Sequence, residues 1–138
     1  MGSINIVAVL LAAVAFFVLG ALWYGPLFGR PWRELNGITV ERMEAGPQPG
    51  QNPMWLIMAL AFAFELLVAV MLGHLIARTA PKPWVIMMMA AGLGATVMTP
   101  ALGINYLFQM RPGKLFAIDA GYMICGMALM GAVFIALG

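Results

Sequence analysis

The sequence predicts an all-α integral membrane protein, a four-helix bundle with a short amphipathic surface helix in its first loop. Four apolar runs, residues 4–22, 54–77, 84–106 and 115–137, fill most of the 138 residues. Each is near the ~20 residues a helix needs to cross ~30 Å of hydrocarbon. The runs are apolar all round, where a helix of a soluble protein would show one stripe. With 64% hydrophobic and 9% charged residues, the chain fits no soluble class. One such bundle uses the whole length, so 1–138 reads as a single domain.

Span one (4–22) lacks the basic start of a signal peptide, its apolar stretch is too long, and no small-residue cleavage site follows, so it reads as an uncleaved anchor. It ends in Trp23-Tyr24-Gly25-Pro26, aromatics suited to the headgroup level followed by a pair expected to stop the helix. Pro31-Trp32-Arg33-Glu34-Leu35 then reads as a helix lying on the membrane, Trp32 down and Arg33 toward headgroups. Thr39 is placed to cap a turn through Val40-Glu41-Arg42-Met43. Gly46-Pro47-Gln48-Pro49-Gly50 has the composition of a hinge. Asn52 and Pro53 supply an N-cap and first residue for span two (54–77). That span closes with His74 and Arg78, one turn apart.

The short, stiff link Ala80-Pro81-Lys82-Pro83 predicts spans two and three (84–106) as antiparallel neighbours. In span three Pro100 removes a backbone donor and kinks the helix, and Thr96 and Thr99 can satisfy the freed carbonyls. Span four (115–137) repeats Ala117, Gly121 and Cys125 at every fourth position, with Gly126 beside them. Such a stripe serves either packing within one bundle or a homodimer seam.

The net charge of +2 is too small to imply nucleic acid and matters through its placement. Arg30, Arg33 and Arg42 lie between spans one and two, Arg111 and Lys114 between three and four. Only Arg78 and Lys82 sit on the other side. This asymmetry predicts loops one and three in the cytoplasm and both termini in the periplasm. The lipid bilayer is the expected partner, with a homo-oligomer or a larger membrane-protein complex both open.

Counting crossings gathers the polar residues at one end. The end of span one, the start of two, the end of three and the start of four share a side. There lies a candidate headgroup cluster of Trp23, Tyr24, Arg30, Arg33, Arg111 and Lys114, with Trp32 beside it. A candidate intramembrane site comprises Asp119, Tyr122, Asn105 and, deeper, Glu65. Asp119 sits about one turn inside span four, and Tyr122 follows on the same helical side. A carboxylate at that depth calls for Arg30, Arg33 or Arg111, or for Asn105 as hydrogen-bond partner. Glu65 lies eleven residues into span two, roughly 16 Å down at ~1.5 Å per residue and close to the midplane. With no basic residue a turn away, it is expected to face the bundle interior or a subunit interface as the neutral acid, with Thr96 and Thr99 as candidate partners.

Ser3 is the sole serine, His74 the sole histidine and Cys125 the sole cysteine. A serine–histidine pair would have to join the first few residues to a distant interface, a cysteine–histidine pair would need Cys125 from the middle of span four, and a zinc site lacks ligands. No catalytic residue, metal or cofactor is expected. Met123 and Met127 share a face that Cys125 does not, so methionine reads as flexible filler.

The chain resembles the bacterial membrane family known as domain-of-unknown-function family 1761. The likeness rests on Asn5 with the alanine-rich first span and on Gly20-Ala21-Leu22-Trp23-Tyr24-Gly25-Pro26-Leu27-Phe28-Gly29. It continues in Asn105-Tyr106-Leu107-Phe108, Arg111-Pro112, Lys114-Leu115-Phe116 and Asp119-Ala120-Gly121-Tyr122. Family members often carry histidine where this chain has Met123, and Glu65 belongs to no family motif. The resemblance implies four spans in an inner membrane and no particular activity. Two functions remain: a bundle handling a small solute or proton, as in four-span drug exporters with one membrane carboxylate, or a non-catalytic accessory or scaffold subunit.

Overall fold

A computed structural model describes residues 3–46 and 49–138. Pro47 and Gln48 of the expected hinge lie outside them. Four helices are long and apolar enough to cross a membrane: Ile6–Leu27 of 22 residues, Met54–Thr79 of 26, Pro83–Phe108 of 26 and Gly113–Leu137 of 25. These are spans one to four.

Span one begins at α1 (Ile6–Leu22), capped by Asn5, whose Oδ1 accepts the Ala8 N–H at 3.1 Å. The Asn5 amide also donates to the Leu137 carbonyl at 3.1 Å, joining the first span to the last. The Gly25-Pro26 pair does not stop the helix. The chain widens into a π turn over Trp23–Leu27, closed by the Phe28 N–H on the Trp23 carbonyl at 2.7 Å. A wide turn relieves the clash between a proline ring and the carbonyl four residues back.

The surface helix α2 (Gly29–Leu35) follows at once. Gly29 is obligatory, because a Cβ there would lie 2.3 Å from the Tyr24 carbonyl oxygen. Trp32 packs edge-on against Tyr24, ring centroids 5.3 Å apart, so it faces protein as well as the membrane it was expected to enter. Thr39 caps α3 (Val40–Ala45) by accepting the Arg42 N–H at 3.2 Å. Span two is the uninterrupted α4 (Met54–Thr79), with Pro53 rather than Asn52 at the cap.

Span three is α5 (Pro83–Leu93), a π turn over Gly94–Met98, and α6 (Thr99–Phe108). The interruption falls just ahead of Pro100. Thr96 donates to the Gly92 carbonyl at 2.6 Å and Thr99 to the Gly94 carbonyl at 2.8 Å. Both hydroxyls are thereby folded onto their own helix. Span four is the unbroken α7 (Gly113–Leu137).

Span four packs along spans one and three, and span two packs along span one. Spans two and three, expected as neighbours because of their short link, lean on different partners. Lipid tails are as apolar as leucine, so close packing rather than the hydrophobic effect must hold these helices together. Small residues make that possible. A Cβ at Gly126 would lie 2.7 Å from the Phe16 ring, one at Gly121 2.9 Å from the Trp23 ring, and one at Gly131 2.9 Å from the Ala90 methyl. The glycines of span four thus receive side chains of its own bundle, while Ala117 and Cys125 are exposed.

The core runs through Ala12, Phe16, Leu72, Ala90, Met127, Met130 and Phe134. Span two contributes buried residues only from its second half, namely Ala69, Leu72 and Gly73. At that end a cavity of about 470 Å³ opens among Asn5, Gly73, Ile86 and Phe134. At the other end Leu107, Phe108 and Met110 are 79%, 86% and 92% exposed, an apolar corner suited to lipid.

Candidate functional site

The chain has three tyrosines, and all three turn inward onto the two acids of the spans. Asp119 on span four accepts from Tyr24 of span one at 2.5 Å through Oδ1 and from Tyr106 of span three through Oδ2. Glu65 on span two meets Tyr122 of span four, Oε1 to Oη, at 2.8 Å. Every span therefore contributes to one polar cluster inside an otherwise apolar protein.

Local structure accounts for this convergence. Asp119 and Tyr122 lie three apart on a straight helix and share a side. The π turn holds two consecutive aromatics against span four: the Trp23 indole N–H donates to the Ile118 carbonyl at 2.9 Å, while Tyr24 reaches Asp119. Gly20 and Gly121 make the room, since a Cβ on Gly20 would sit 2.6 Å from the Tyr122 hydroxyl. The Tyr122 ring packs edge-on to Phe16 at 4.8 Å and to Tyr24 at 5.3 Å, a favoured geometry for aromatic pairs.

The two acids are held differently. Both Asp119 oxygens accept a phenolic proton, which is how a carboxylate is satisfied. Tyr122 is shared: its hydroxyl lies 2.9 Å from the Phe16 carbonyl oxygen and 2.8 Å from Glu65. A phenol has one proton to give. Both contacts are hydrogen bonds together only when Tyr122 donates to Phe16 and a neutral Glu65 donates to Tyr122. Glu65 Oε2 is buried with no hydrogen-bond partner.

The expected partners are replaced. The cations are not paired with Asp119, and the ion pair among the described residues joins Arg30 to Glu34 at 3.4 Å on the surface. Arg111 acts one step removed, its guanidinium stacked 4.5 Å over the Tyr106 ring. It also donates to Asn36 Oδ1 at 2.7 Å, and Asn36 in turn donates to the Trp32 carbonyl at 2.8 Å. That latch places loops one and three on the same side, as the crossing count required. Asn105 is exposed and stays outside the cluster, because its neighbour Tyr106 occupies the inward face. Thr96 and Thr99 do not reach Glu65, their hydroxyls being spent on the π turn.

Trp23 and Tyr24, assigned by position to the headgroup layer, belong to the intramembrane site. Arg30 and Lys114 are exposed and Arg33 is half-buried. Tyr106 is the residue that sequence reasoning missed as a ligand of Asp119. Its scarcity was the available signal, since one of only three tyrosines falls on the same end as Asp119. Among the described residues no group of three or more His, Cys, Asp or Glu could hold a metal ion.

No curated protein and no solved structure matches the sequence. A family model described as "Protein of unknown function (DUF1761)" matches residues 7–135, taking in all four spans and each residue of the cluster. The protein thus belongs to the DUF1761 family.

Proposed function

We propose that this is a small multi-pass protein of a bacterial inner membrane that carries a proton, alone or with a small solute, and that Glu65 is the group that loads it. One observation carries the reading. Glu65 is an acid near the midplane whose one partner among the described residues is the Tyr122 hydroxyl, with its second oxygen buried and unbonded there. An ionisable residue inside a membrane is costly, and a proton or ion pathway is the usual reason for it. Asp119, by contrast, serves as a fixed anion at the loop end. Loops one and three, with most of the basic residues, face the cytoplasm in this reading, and no enzymatic step is assigned.

The test is proton uptake by proteoliposomes containing an internal pH-sensitive dye, under an imposed membrane potential. Wild type should acidify the lumen, and Glu65→Gln should be silent while inserting normally. Equal flux in both, or none above empty liposomes in wild type, removes the proposal's basis.

A second reading, an accessory subunit of a larger membrane complex, draws on span two, whose first half is unburied in this chain and could receive a foreign helix. Native mass spectrometry of gently extracted protein separates the readings. A stoichiometric larger partner supports the accessory role, and a homo-oligomer or monomer supports the self-contained one.

A further inference from the structure

The hydrogen-bond chain from Glu65 leads nowhere a proton can go. It passes from Glu65 to the Tyr122 hydroxyl and ends on the Phe16 backbone carbonyl, which accepts a hydrogen bond but does not take up a proton at ordinary pH. The opposite direction is closed as well. Glu65, Ala69, Leu72 and Gly73 share one face of span two by helical spacing, and the cavity at the terminal end begins only at Gly73. Ala69 and Leu72, fully buried, fill the interval, with Met130 in the same core. A proton on Glu65 therefore leaves only if the carboxyl itself is brought to water.

The part free to move is span two. It packs along span one, its first half contributes no buried residue, and among the described residues the Glu65–Tyr122 hydrogen bond is the polar contact tying it to another span. Phe62 against Phe17, centroids 5.7 Å apart, is an edge contact that can re-form. The groups facing Glu65 are few. Span four offers Tyr122 and, a turn nearer the loops, Asp119; span one offers Tyr24 among apolar Phe16 and Phe17. Span two has His74, nine residues further on, and Arg78 in its last turn, and span three leans on span four instead. No lysine or arginine of these spans is placed to neutralise an ionised Glu65.

We infer that loss of the Glu65 proton undocks the first half of span two from Phe17 and Tyr122, so that proton release and helix movement are one event. This rests on the reading of Glu65 as the loading group. In the neutral state the Glu65–Tyr122 hydrogen bond and the Phe62–Phe17 contact hold the helix, while Tyr122 keeps its own bond to the Phe16 carbonyl. In the ionised state Tyr122 must abandon one acceptor, and a bare carboxylate oxygen stays in an apolar wall unless the helix moves. The Oε1–H bond breaks on release and the proton passes to water admitted beside span two.

Spin labels read this movement directly. Met58 on span two and the native Cys125 on span four are both exposed and outside the cluster. A Met58→Cys variant labelled at both positions in lipid nanodiscs is followed by pulsed electron–electron resonance from acid to alkaline pH. One short distance is expected in acid, with a longer population growing as pH rises. Adding Glu65→Gln should hold the short distance throughout. Adding Tyr122→Phe, which removes the tether, should bring the longer population in at lower pH, raising its share about tenfold where wild type is still closed. A single distance independent of pH in the otherwise wild-type protein overturns the inference, and so does an unchanged pH response with Glu65→Gln. If the Gln variant fails to insert, the titration of the parent decides alone. Liposome flux on the same preparations keeps the two ideas apart: movement without flux retires the transport reading, and flux without movement retires the undocking.

Discussion

Asp119 and Glu65 are the two acids of one membrane-embedded cluster, and the protein treats them oppositely. Asp119 receives two phenols from two other spans, with Arg111 stacked behind one of them. Among the described residues Glu65 has a single partner, and that partner is already committed to a carbonyl. The difference teaches which acid is structural. A carboxylate whose two oxygens are filled from two other spans is a rivet, and one with an orphaned oxygen on a thinly buried span is the part that the proposed function sets moving.

Replacing the rivet should cost most. Asp119→Leu strands two phenolic hydroxyls, and hydrogen bonds to a charged group contribute about 1.5–3 kcal/mol each. A loss of about 3 kcal/mol or more is expected, read as a lower melting midpoint of detergent-solubilised protein. An unshifted midpoint would show that Tyr24 and Tyr106 re-pair at no cost, and the contrast between the acids would collapse. Next comes the seat of the cluster. Gly20→Ala drives a methyl onto the Tyr122 hydroxyl, and such overpacking costs about 1–3 kcal/mol. It should also raise the proton leak, because the hydroxyl it displaces is the Glu65 partner.

Asn36→Ala should cost about 1 kcal/mol, loosening loop one from loop three without disturbing the spans. Faster proteolysis between α2 and α3, with the melting midpoint lowered by no more than a few degrees, is the expected signature. Smallest in stability is Glu65→Gln, within about 1 kcal/mol of wild type, although it should abolish proton uptake. A large stability loss there would make Glu65 a second rivet.

Much of this architecture is legible in the residues. The four spans, the Thr39 cap, the shared side of loops one and three, and Glu65, Asp119 and Tyr122 all follow from length, hydropathy and crossing parity. Their partners do not. A helix that is apolar all round has no stripe to say which way it faces, so Tyr24 reads as an interfacial aromatic rather than as a ligand of Asp119, and Tyr106 carries no assignment at all. The π turns compound the problem, since one extra residue in a turn rotates everything after it by about 100°. The short link between spans two and three misled for a related reason. Chain connection fixes where two helix ends meet, and the side chains along the helices decide what they pack on.

The unequal lengths of the spans make the bilayer an input to this mechanism. At ~1.5 Å per residue the inner span one is about 33 Å long and the outer span two about 39 Å, against ~30 Å of hydrocarbon. The longer helix absorbs its excess by tilting, and it tilts more in a thin membrane than in a thick one. Lipid composition thereby sets how far span two already leans; if Glu65 loads a proton as proposed, the chain length of the surrounding lipids becomes a tuning control on its release.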